Sequence, residues 1–183
     1  MNTGYIYTIG YGGRTTDDLL AQLRQVDVQF LIDVRSVPYS RHQPEFSQEP
    51  LQQLLARHGV KYVFMGDDLG GRPKDPDCYT KGKVDYHKCQ TKKFFRRGLG
   101  RVRRVYEQGF RVCLLCSEGN PWQCHRSKLI GAALHDEGIE ILHLLPDGGN
   151  ITQDEAIQEL TGGQSDLFGQ HFVSQKTYQQ ESP

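Results

Sequence analysis

Apolar residues recur along the chain with two spacings, one typical of strands and one typical of helices. Five short apolar runs predict strands at residues 5–9, 30–34, 61–65, 111–116 and 139–144. The stretches between them predict helices after the cap residues 15–18, at 49–58, 91–108 and 124–137, and after a capping box at Thr152 and Glu155. This alternation predicts an α/β fold. We expect a single three-layer domain, with a mostly parallel sheet of about five strands and helices on both faces.

The run at residues 111–116 is almost uninterrupted in its apolar character, so we expect this strand to be buried on both faces at the centre of the sheet. A length of 183 residues fits one domain, which we assign to residues 1–161. Residues 162–183 are rich in Gln, Ser and Gly, and we expect them to form a loosely ordered C-terminal tail.

Cysteine content and hydropathy indicate the compartment. Five cysteines are an odd number, and no secretory signal pattern precedes them, so we expect reduced thiols in the cytoplasm. The apolar runs are too short to cross a bilayer, and we expect no membrane contact. Nothing in the pattern predicts the oligomeric state.

The net charge is zero, but the charges are segregated along the chain. Residues 81–104 contain ten Lys or Arg and one acid, Asp85, whereas residues 136–183 contain nine acids and one cation, Lys176. The basic segment is either the solvated face of a helix or a surface that binds nucleic acid. Both interpretations stay open at this stage.

In a parallel α/β sheet, ligands bind at the carboxyl ends of the strands. Four of the predicted strands end in reactive, charged or glycine residues, so we expect a cleft at this edge. The catalytic residues that we expect there are Cys116, Glu118, Cys124, His125 and Arg126. The substrate-binding residues that we expect there are Gly10, Tyr11, Gly12, Arg14, Asp33, Arg35, Gly70, Gly71 and Arg72.

Several familiar motifs fail on spacing. The glycines at positions 10, 12 and 13 stand too close together for a dinucleotide fingerprint, and they indicate either a tight turn or a phosphate contact. Cys113 and Cys116 are three residues apart in a strand and should face opposite sides of the sheet, which argues against a redox pair. A phosphatase or rhodanese loop starting at Cys116 would need an arginine where Trp122 stands. No dinucleotide cofactor is indicated, and the sequence leaves any other cofactor unknown.

Zinc is not expected either, because the adjacent residues Cys124 and His125 rarely aim at one ion and no fourth ligand is evident. A helix starting near residue 123 or 124 would instead lower the pKa of the Cys124 thiol through its N-terminal N–H groups. Glu118 would act as a general base or would hold Arg126 in a bidentate pair. The alternative is that these cysteines only pack and the Glu118–Arg126 pair is structural.

These residues resemble the domain of unknown function family 488. The resemblance covers about residues 5–143 and rests on Thr8-Ile9-Gly10-Tyr11-Gly12, Asp33-Val34-Arg35 with Pro38, Leu69-Gly70-Gly71-Arg72, and Cys116-Ser117-Glu118 followed by Cys124-His125-Arg126. It implies a compact α/β domain in which Cys116, Glu118, Cys124, His125 and Arg126 matter, and it implies no particular substrate.

The first functional hypothesis is an enzyme, of the hydrolase or transferase type, acting on an anionic, phosphate-bearing substrate such as a nucleotide or nucleic acid. Cys116 or Cys124 would be its nucleophile and Glu118 or His125 its acid or base. A variant holds a divalent ion on Asp33, Asp68 and Glu118. The alternatives are a non-catalytic nucleic-acid-binding module that uses residues 81–104, and a structural or partner-binding domain.

Overall fold

The computed structural model describes residues 4–162 and 172–178 and contains one large sheet. Its strands, with two short ones outside it, are β1 Ile6–Gly10, β2 Phe30–Asp33, β3 Lys61–Phe64, β4 Tyr79–Thr80, β5 Lys83–Val84, β6 Val112–Cys116, β7 Ile141–Leu144 and β8 Asn150–Thr152. The six-stranded sheet has the order β3-β2-β6-β1-β7-β8. All its neighbours pair in parallel except β7 and β8, and β4 and β5 form a separate antiparallel pair.

The helices follow the predicted alternation. They are α1 Thr16–Gln25, α2 Gln48–Arg57, α3 Gly66–Leu69, α4 Tyr86–Thr91, α5 Lys93–Glu107, α6 Ala132–Asp136 and α7 Gln153–Thr161. Both α1 and α7 begin with a capping box, and the box of Thr152 with Glu155 is the one predicted. The long connection after β3 is less irregular than expected, since it contains α3 and the β4–β5 pair.

Two helices differ from their predicted form. The segment predicted as one helix at 91–108 is divided into α4 and α5, because Lys92 takes an extended backbone (φ −79°, ψ 143°). The segment predicted as a helix from residue 124 begins instead with a π-helical turn, Arg126–Gly131, and continues directly into α6. A π-helical turn contains about one residue more than an α-helical turn, and the spacing of apolar residues in so short a segment does not reveal it.

Two apolar clusters cover the two faces of the sheet, as the three-layer prediction requires. On one face Ile32 and Leu114 pack with residues of α5, among them Phe95, Leu99 and Val102. On the other face Leu31 and Leu115 pack with α1 and α2 residues, among them Leu19, Leu23, Leu51 and Leu55. The fold class is therefore confirmed.

Strand β6 lies between β2 and β1, and all five of its residues are buried, which confirms the predicted central strand. Cys113 belongs to the cluster on the α1–α2 face and Cys116 to the cluster on the opposite face, as their spacing predicted. Strand β8 was not predicted. Its three residues are too few to show an alternation.

Part of the predicted C-terminal tail, residues 163–171 and 179–183, lies outside the described residues. Within the described part, Val173 pairs with Asp85, and the Ser174 N–H donates to the carbonyl of Val84 at 2.9 Å. The boundaries of the domain stay a prediction. None of the helices in residues 4–162 or 172–178 has the length and apolar character that a bilayer crossing needs.

Strands β1 and β6 end side by side, with Gly10 paired to Cys116. The loop after β6 folds back over the end of β1 at this point. A Cβ added at Gly10 would overlap the carbonyl group of Glu118 and approach the guanidinium of Arg126 to 2.7 Å. Gly10 is thus required by the close approach of two backbones.

We expect Gly10→Ala to destabilise the protein by about 2 kcal/mol or more, because backbone atoms cannot move aside for the new methyl group. Gly100→Ala is the matched control: in the middle of α5, its added Cβ would meet nothing within 4 Å among the described residues. That change should stabilise the helix by about 0.5–1 kcal/mol. Urea unfolding of both variants measures the difference, and equal midpoints would contradict the close approach.

Candidate functional site

A cavity of about 290 Å³ opens at the carboxyl ends of the central strands. Residues that follow β1, β2 and β6 line it together with the loop after α3 and the segment 172–178. The lining residues are Tyr11, Arg35, Ser36, Val37, Tyr39, Gly71, Arg72, Tyr86, Cys116, Ser117, Glu118, Gln123, Cys124, His125, Ser174, Gln175, Lys176 and Tyr178. The predicted edge of the sheet does carry a cavity.

Two sulfurs and one imidazole nitrogen meet on the cavity wall. The Nδ1 atom of His125 lies 3.7 Å from the Sγ atom of Cys116 and 3.7 Å from that of Cys124. All three residues are buried, and the three atoms lie within 4.8 Å of one another. Cys116 is the last residue of β6, whereas Cys124 and His125 follow a 3-10 turn at Pro121–Gln123.

The backbone explains how two adjacent side chains reach the same point. Cys124 is extended (φ −114°, ψ 149°), whereas His125 is already helical (φ −63°, ψ −22°). The expectation that adjacent residues would not aim at one position is therefore wrong for this pair. The imidazole is also fixed from its other side, because Nε2 lies 3.0 Å from the carbonyl oxygen of Val34.

The two thiols are not equivalent. A hydrogen bond from Cys124, together with the charge of His125, holds the pKa of Cys116 well below its usual value despite burial. Burial raises the pKa of Cys124, and its interaction with Cys116 raises it further. Burial alone would lower the pKa of His125, but Cys116 outweighs it and the net shift is upward. The predicted lowering of the Cys124 pKa is therefore wrong, and Cys116 is the more acidic thiol.

Arg126 is fully buried and connects three parts of the fold. Its Nη1 donates to the carbonyl of Glu118, its Nη2 to that of Gly119 at 2.7 Å, and its Nε to the hydroxyl of Thr8 at 3.2 Å. Its backbone N–H points to the sulfur of Cys124 at 3.5 Å. Arg126 therefore fixes the loop after β6 against β1 and lies behind the cluster.

The Glu118 carboxylate does not take part in this arrangement. Its nearest described cation is Lys176, at 3.6 Å, and the side chain is about half exposed at the cavity rim. The expected bidentate pair with Arg126 is absent among the described residues, because the backbone carbonyl of Glu118 holds that guanidinium instead. The carboxylate is therefore left at the cavity rim, within reach of a bound molecule.

A buried polar chain supports Arg126 from the rear. The Thr8 hydroxyl lies 2.7 Å from Nδ1 of His143, and Nε2 of His143 lies 2.9 Å from Oε1 of Gln153. The Gln153 amide in turn donates to the carbonyl of Ser127 at 3.2 Å. This chain ties β1, β7 and α7 to the π-helical turn, and no sequence motif predicted it.

Arg35 forms the opposite side of the cavity. Its Nε and Nη2 atoms bind the Asp33 carboxylate at 2.6–3.1 Å, and the Tyr62 hydroxyl donates to the same carboxylate at 2.6 Å. Arg35 is 4% exposed, and its Nη1 has no hydrogen-bond partner among the described residues. Burial opposes its charge, but Asp33, and after it the neighbouring Tyr11 hydroxyl, outweigh that effect and the pKa of Arg35 is raised.

Several predicted site residues do not line the cavity. Arg14 is buried, and its guanidinium binds the carbonyls of Gly10 and Leu144 and the side chain of Gln22. Gly12 lies against the carbonyl of Ser117. Asp33, Gly70 and Arg126, with Gly10, likewise support the lining without forming it. Tyr11, Arg35, Gly71, Arg72, Cys116, Glu118, Cys124 and His125 do line the cavity.

Gly71 lines the cavity for a steric reason. A Cβ at this position would come within 2.8 Å of the His125 ring, so the loop can cover the imidazole only with a glycine here. Arg72, the next residue, donates its backbone N–H to the Ser36 hydroxyl at 2.8 Å and places its guanidinium 4.9 Å from the centre of the Tyr178 ring.

The main lining residues that the sequence prediction missed are Tyr39, Tyr86, Ser174, Gln175, Lys176 and Tyr178. Tyr86 lies within the basic segment 81–104, for which the sequence predicts no place at the cavity. The others lie in a loop and in a polar C-terminal segment, and neither pattern has a periodic signal that would bring these side chains to the sheet edge.

The fold and the site define an α/β protein with a polar cavity at the carboxyl end of its sheet, lined by two thiols, an imidazole and arginines. The sequence model of the family described as Domain of unknown function DUF488 matches residues 15–133. The chain therefore belongs to this family. No curated protein and no solved structure matches it.

The buried chain behind Arg126 makes stability depend on pH. Burial, and next the charge of Arg126, lower the pKa of His143 from 6.5 to about 3. The folded protein keeps this ring neutral, whereas the unfolded chain takes up a proton below about pH 6.5. Stability is therefore full above that value and should fall by up to about 1.4 kcal/mol per pH unit as the pH drops towards 3.

Urea unfolding between pH 7 and pH 4 tests this. His143→Gln keeps a donor and an acceptor and should remove about one proton from the pH dependence. The same substitution at the exposed His42 is the control and should leave the dependence unchanged. Parallel profiles for the wild type and the His143 variant would contradict the role of this ring.

Proposed function

We propose that the protein is an enzyme that binds an anionic, phosphate-bearing substrate in the cavity. Arg35 and Arg72 are its anion-holding groups, and the cluster of Cys116, Cys124 and His125 is its reactive centre. Glu118, at the rim, is placed to exchange a proton with the bound molecule.

The observation that carries this proposal is the unpartnered Nη1 of Arg35. A buried hydrogen-bond donor without a partner costs about 1–3 kcal/mol, and more when it is charged. Two of the three guanidinium nitrogens are fixed by Asp33, so the side chain cannot turn to find another partner. Arg35 lines the cavity, so a bound anion that reaches this nitrogen would supply the missing acceptor, in a charge-assisted hydrogen bond.

The other charges around the cavity support the same class of ligand. Arg72 is exposed and has no carboxylate within ion-pair distance among the described residues, and Lys176 has only the half-exposed Glu118. A phosphate group, with several oxygens, suits three cations on different sides better than a single carboxylate would.

The sulfurs and the imidazole supply what the arginines lack, namely groups that can act on a bound molecule. Cys116 is the more acidic thiol, and His125 touches both sulfurs. The carboxylate-metal variant has no such support. Asp33 is held by Arg35, Asp68 by Arg97 at 2.5 Å on the α5 side, and Glu118 is paired with Lys176 at the rim.

The basic helix is a weaker candidate for the binding surface. Several of its cations already have carboxylate partners: Arg97 and Arg101 with Asp68, and Arg103 with Glu107 and Glu137. Lys92 likewise contacts Asp75 and Asp77. Local neutralisation of this kind favours the solvated-face interpretation of residues 81–104.

We expect Arg72→Glu to weaken the binding of inorganic phosphate and nucleoside monophosphates about tenfold or more, because it replaces an attractive charge with a repulsive one; tenfold is about 1.4 kcal/mol. Isothermal titration calorimetry at constant salt measures this. Lys74→Glu is the matched control. It makes the same change on the same loop, on a side chain that is 93% exposed and outside the cavity.

Equal losses in both variants would indicate a general charge effect and contradict the cavity site. A separate titration with a single-stranded oligonucleotide tests the alternative. Binding that survives Arg72→Glu but is lost with Arg104→Glu on α5 would place nucleic acid on the helix instead.

We expect Cys116→Ser to abolish turnover of any phosphate ester that the protein hydrolyses or transfers, and Cys124→Ser to reduce it at least tenfold. A panel of phosphomonoesters, phosphodiesters and nucleotides provides the assay. Cys113→Ala is the control. It removes a buried thiol from the same strand but on the opposite face, and it should retain wild-type turnover. Activity that persists in both serine variants would exclude the cluster as the reactive centre.

A further inference from the structure

The distances within the cluster match those of a metal site. In tetrahedral zinc coordination, Zn–S bonds of about 2.3 Å and Zn–N bonds of about 2.0–2.1 Å set the ligand atoms of one sulfur and one nitrogen about 3.6 Å apart. Both sulfur-to-Nδ1 distances here are 3.7 Å. All three ligand atoms lie within 4.8 Å of one another, which is close enough for them to share one ion.

The orientation of His125 is an independent observation. The Val34 carbonyl can only accept a hydrogen bond, so in the neutral ring Nε2 carries the proton and Nδ1 directs its lone pair at the two sulfurs. A histidine that ligates a metal has this arrangement, with its second nitrogen donating to a carbonyl or carboxylate that fixes the ring. The partner is a backbone atom of the strand end next to β6, so the ring is held by the sheet itself.

Charge and softness select the ion. Two thiolates and one neutral imidazole balance a divalent cation, so the complex would be neutral in a buried position. Sulfur and imidazole ligands suit zinc, whereas magnesium and calcium take oxygen ligands. Among the described residues, this is the one group of three or more Cys, His, Asp or Glu side chains with ligand atoms close enough to share an ion.

The coordination would be incomplete on the side of the cavity. Cys116, Cys124 and His125 all line it, and no fourth Cys, His, Asp or Glu of the described residues belongs to the group. Three protein ligands with a fourth position open to solvent or substrate are typical of catalytic zinc, whereas structural zinc is closed by four protein ligands. Arg35 stands on the same cavity, where it can hold an anion beside that position.

We propose that Cys116, Cys124 and His125 bind one zinc ion whose fourth position opens into the cavity. This inference stands on the geometry of the cluster and does not require the proposed substrate. With zinc bound, the sulfurs are ligands, and a water or an anion occupies the fourth position.

The test uses the full chain, freed of metal with a chelator and then titrated with Zn²⁺ and Co²⁺. We expect one ion per chain. The cobalt form should show the intense visible bands of a tetrahedral site together with thiolate-to-cobalt charge-transfer bands in the near ultraviolet. Cys116→Ser and Cys124→Ser should each lose at least tenfold in zinc affinity, measured by competition with a chromophoric chelator, and Cys113→Ala should bind as the wild type does.

Melting curves measured with and without zinc show whether each variant is folded, so that a loss of zinc binding can be distinguished from a loss of folding. Zinc should raise the melting temperature of the wild type and of Cys113→Ala, and at the same zinc concentration it should raise that of the two serine variants by clearly less. A chain without stoichiometric metal, or cobalt bands that persist in both serine variants, would overturn the proposal. Phosphate binding that survives chelation in a metal-free wild type would leave the proposed function standing, whereas zinc binding without any anion binding would remove that function alone.

Discussion

The buried guanidinium of Arg126 is the interaction on which the site depends. It is satisfied by two backbone carbonyls and one hydroxyl, and within residues 4–162 and 172–178 no carboxylate neutralises it. The charge therefore stays uncompensated inside the protein, where it favours a thiolate at Cys116 and opposes protonation of His143. The same guanidinium supplies both the hydrogen bonds that hold the loop and the positive charge beside the cluster, so the loop geometry and the electrostatics of the cluster have one origin.

Arg35 is also a buried arginine, but unlike Arg126 it is paired with a carboxylate. Its charge is matched by Asp33, and Tyr62 satisfies that carboxylate further. The charge of Arg35 is thus neutralised, but one of its nitrogens lacks an acceptor within the described part of the chain. Arg126, behind the cluster, has its hydrogen-bond acceptors but no carboxylate partner among the described residues. An anion near Arg35 would supply the missing hydrogen-bond acceptor, and thiolates near Arg126 would supply the missing negative charge. Neither arrangement serves stability alone, since buried charges cost free energy that apolar residues would not.

The features that could be predicted from the sequence are those that depend on a regular spacing of apolar residues or on the position where a strand ends. The uninterrupted run 111–116 gave the central strand, the three-residue spacing placed Cys113 and Cys116 on opposite faces, and the strand ends gave the edge that carries the cavity. The failures concern contacts without such a signal. Arg126 binds the backbone carbonyl of Glu118, and since every residue has a carbonyl, the sequence does not indicate which one an arginine will bind. Cys124 and His125 converge because the backbone changes from extended to helical between them, and the polar segment 172–178 has no periodicity that would bring it to the rim.

The segment 172–178 is attached to the rest of the protein mainly through its backbone. The carbonyl of Phe172 accepts from Tyr86, the N–H of Ser174 donates to Val84, and that of Tyr178 donates to Gly82. Main-chain bonds are indifferent to which side chains the segment carries. Gln175 and Lys176 can therefore be exchanged without loosening the attachment and without touching Cys116, Cys124 or His125. If the proposed function holds, the residues that react and the residues that select the ligand are encoded in separate stretches of the gene, and mutation of the rim would change the ligand preference while leaving the cysteine and histidine cluster as it is.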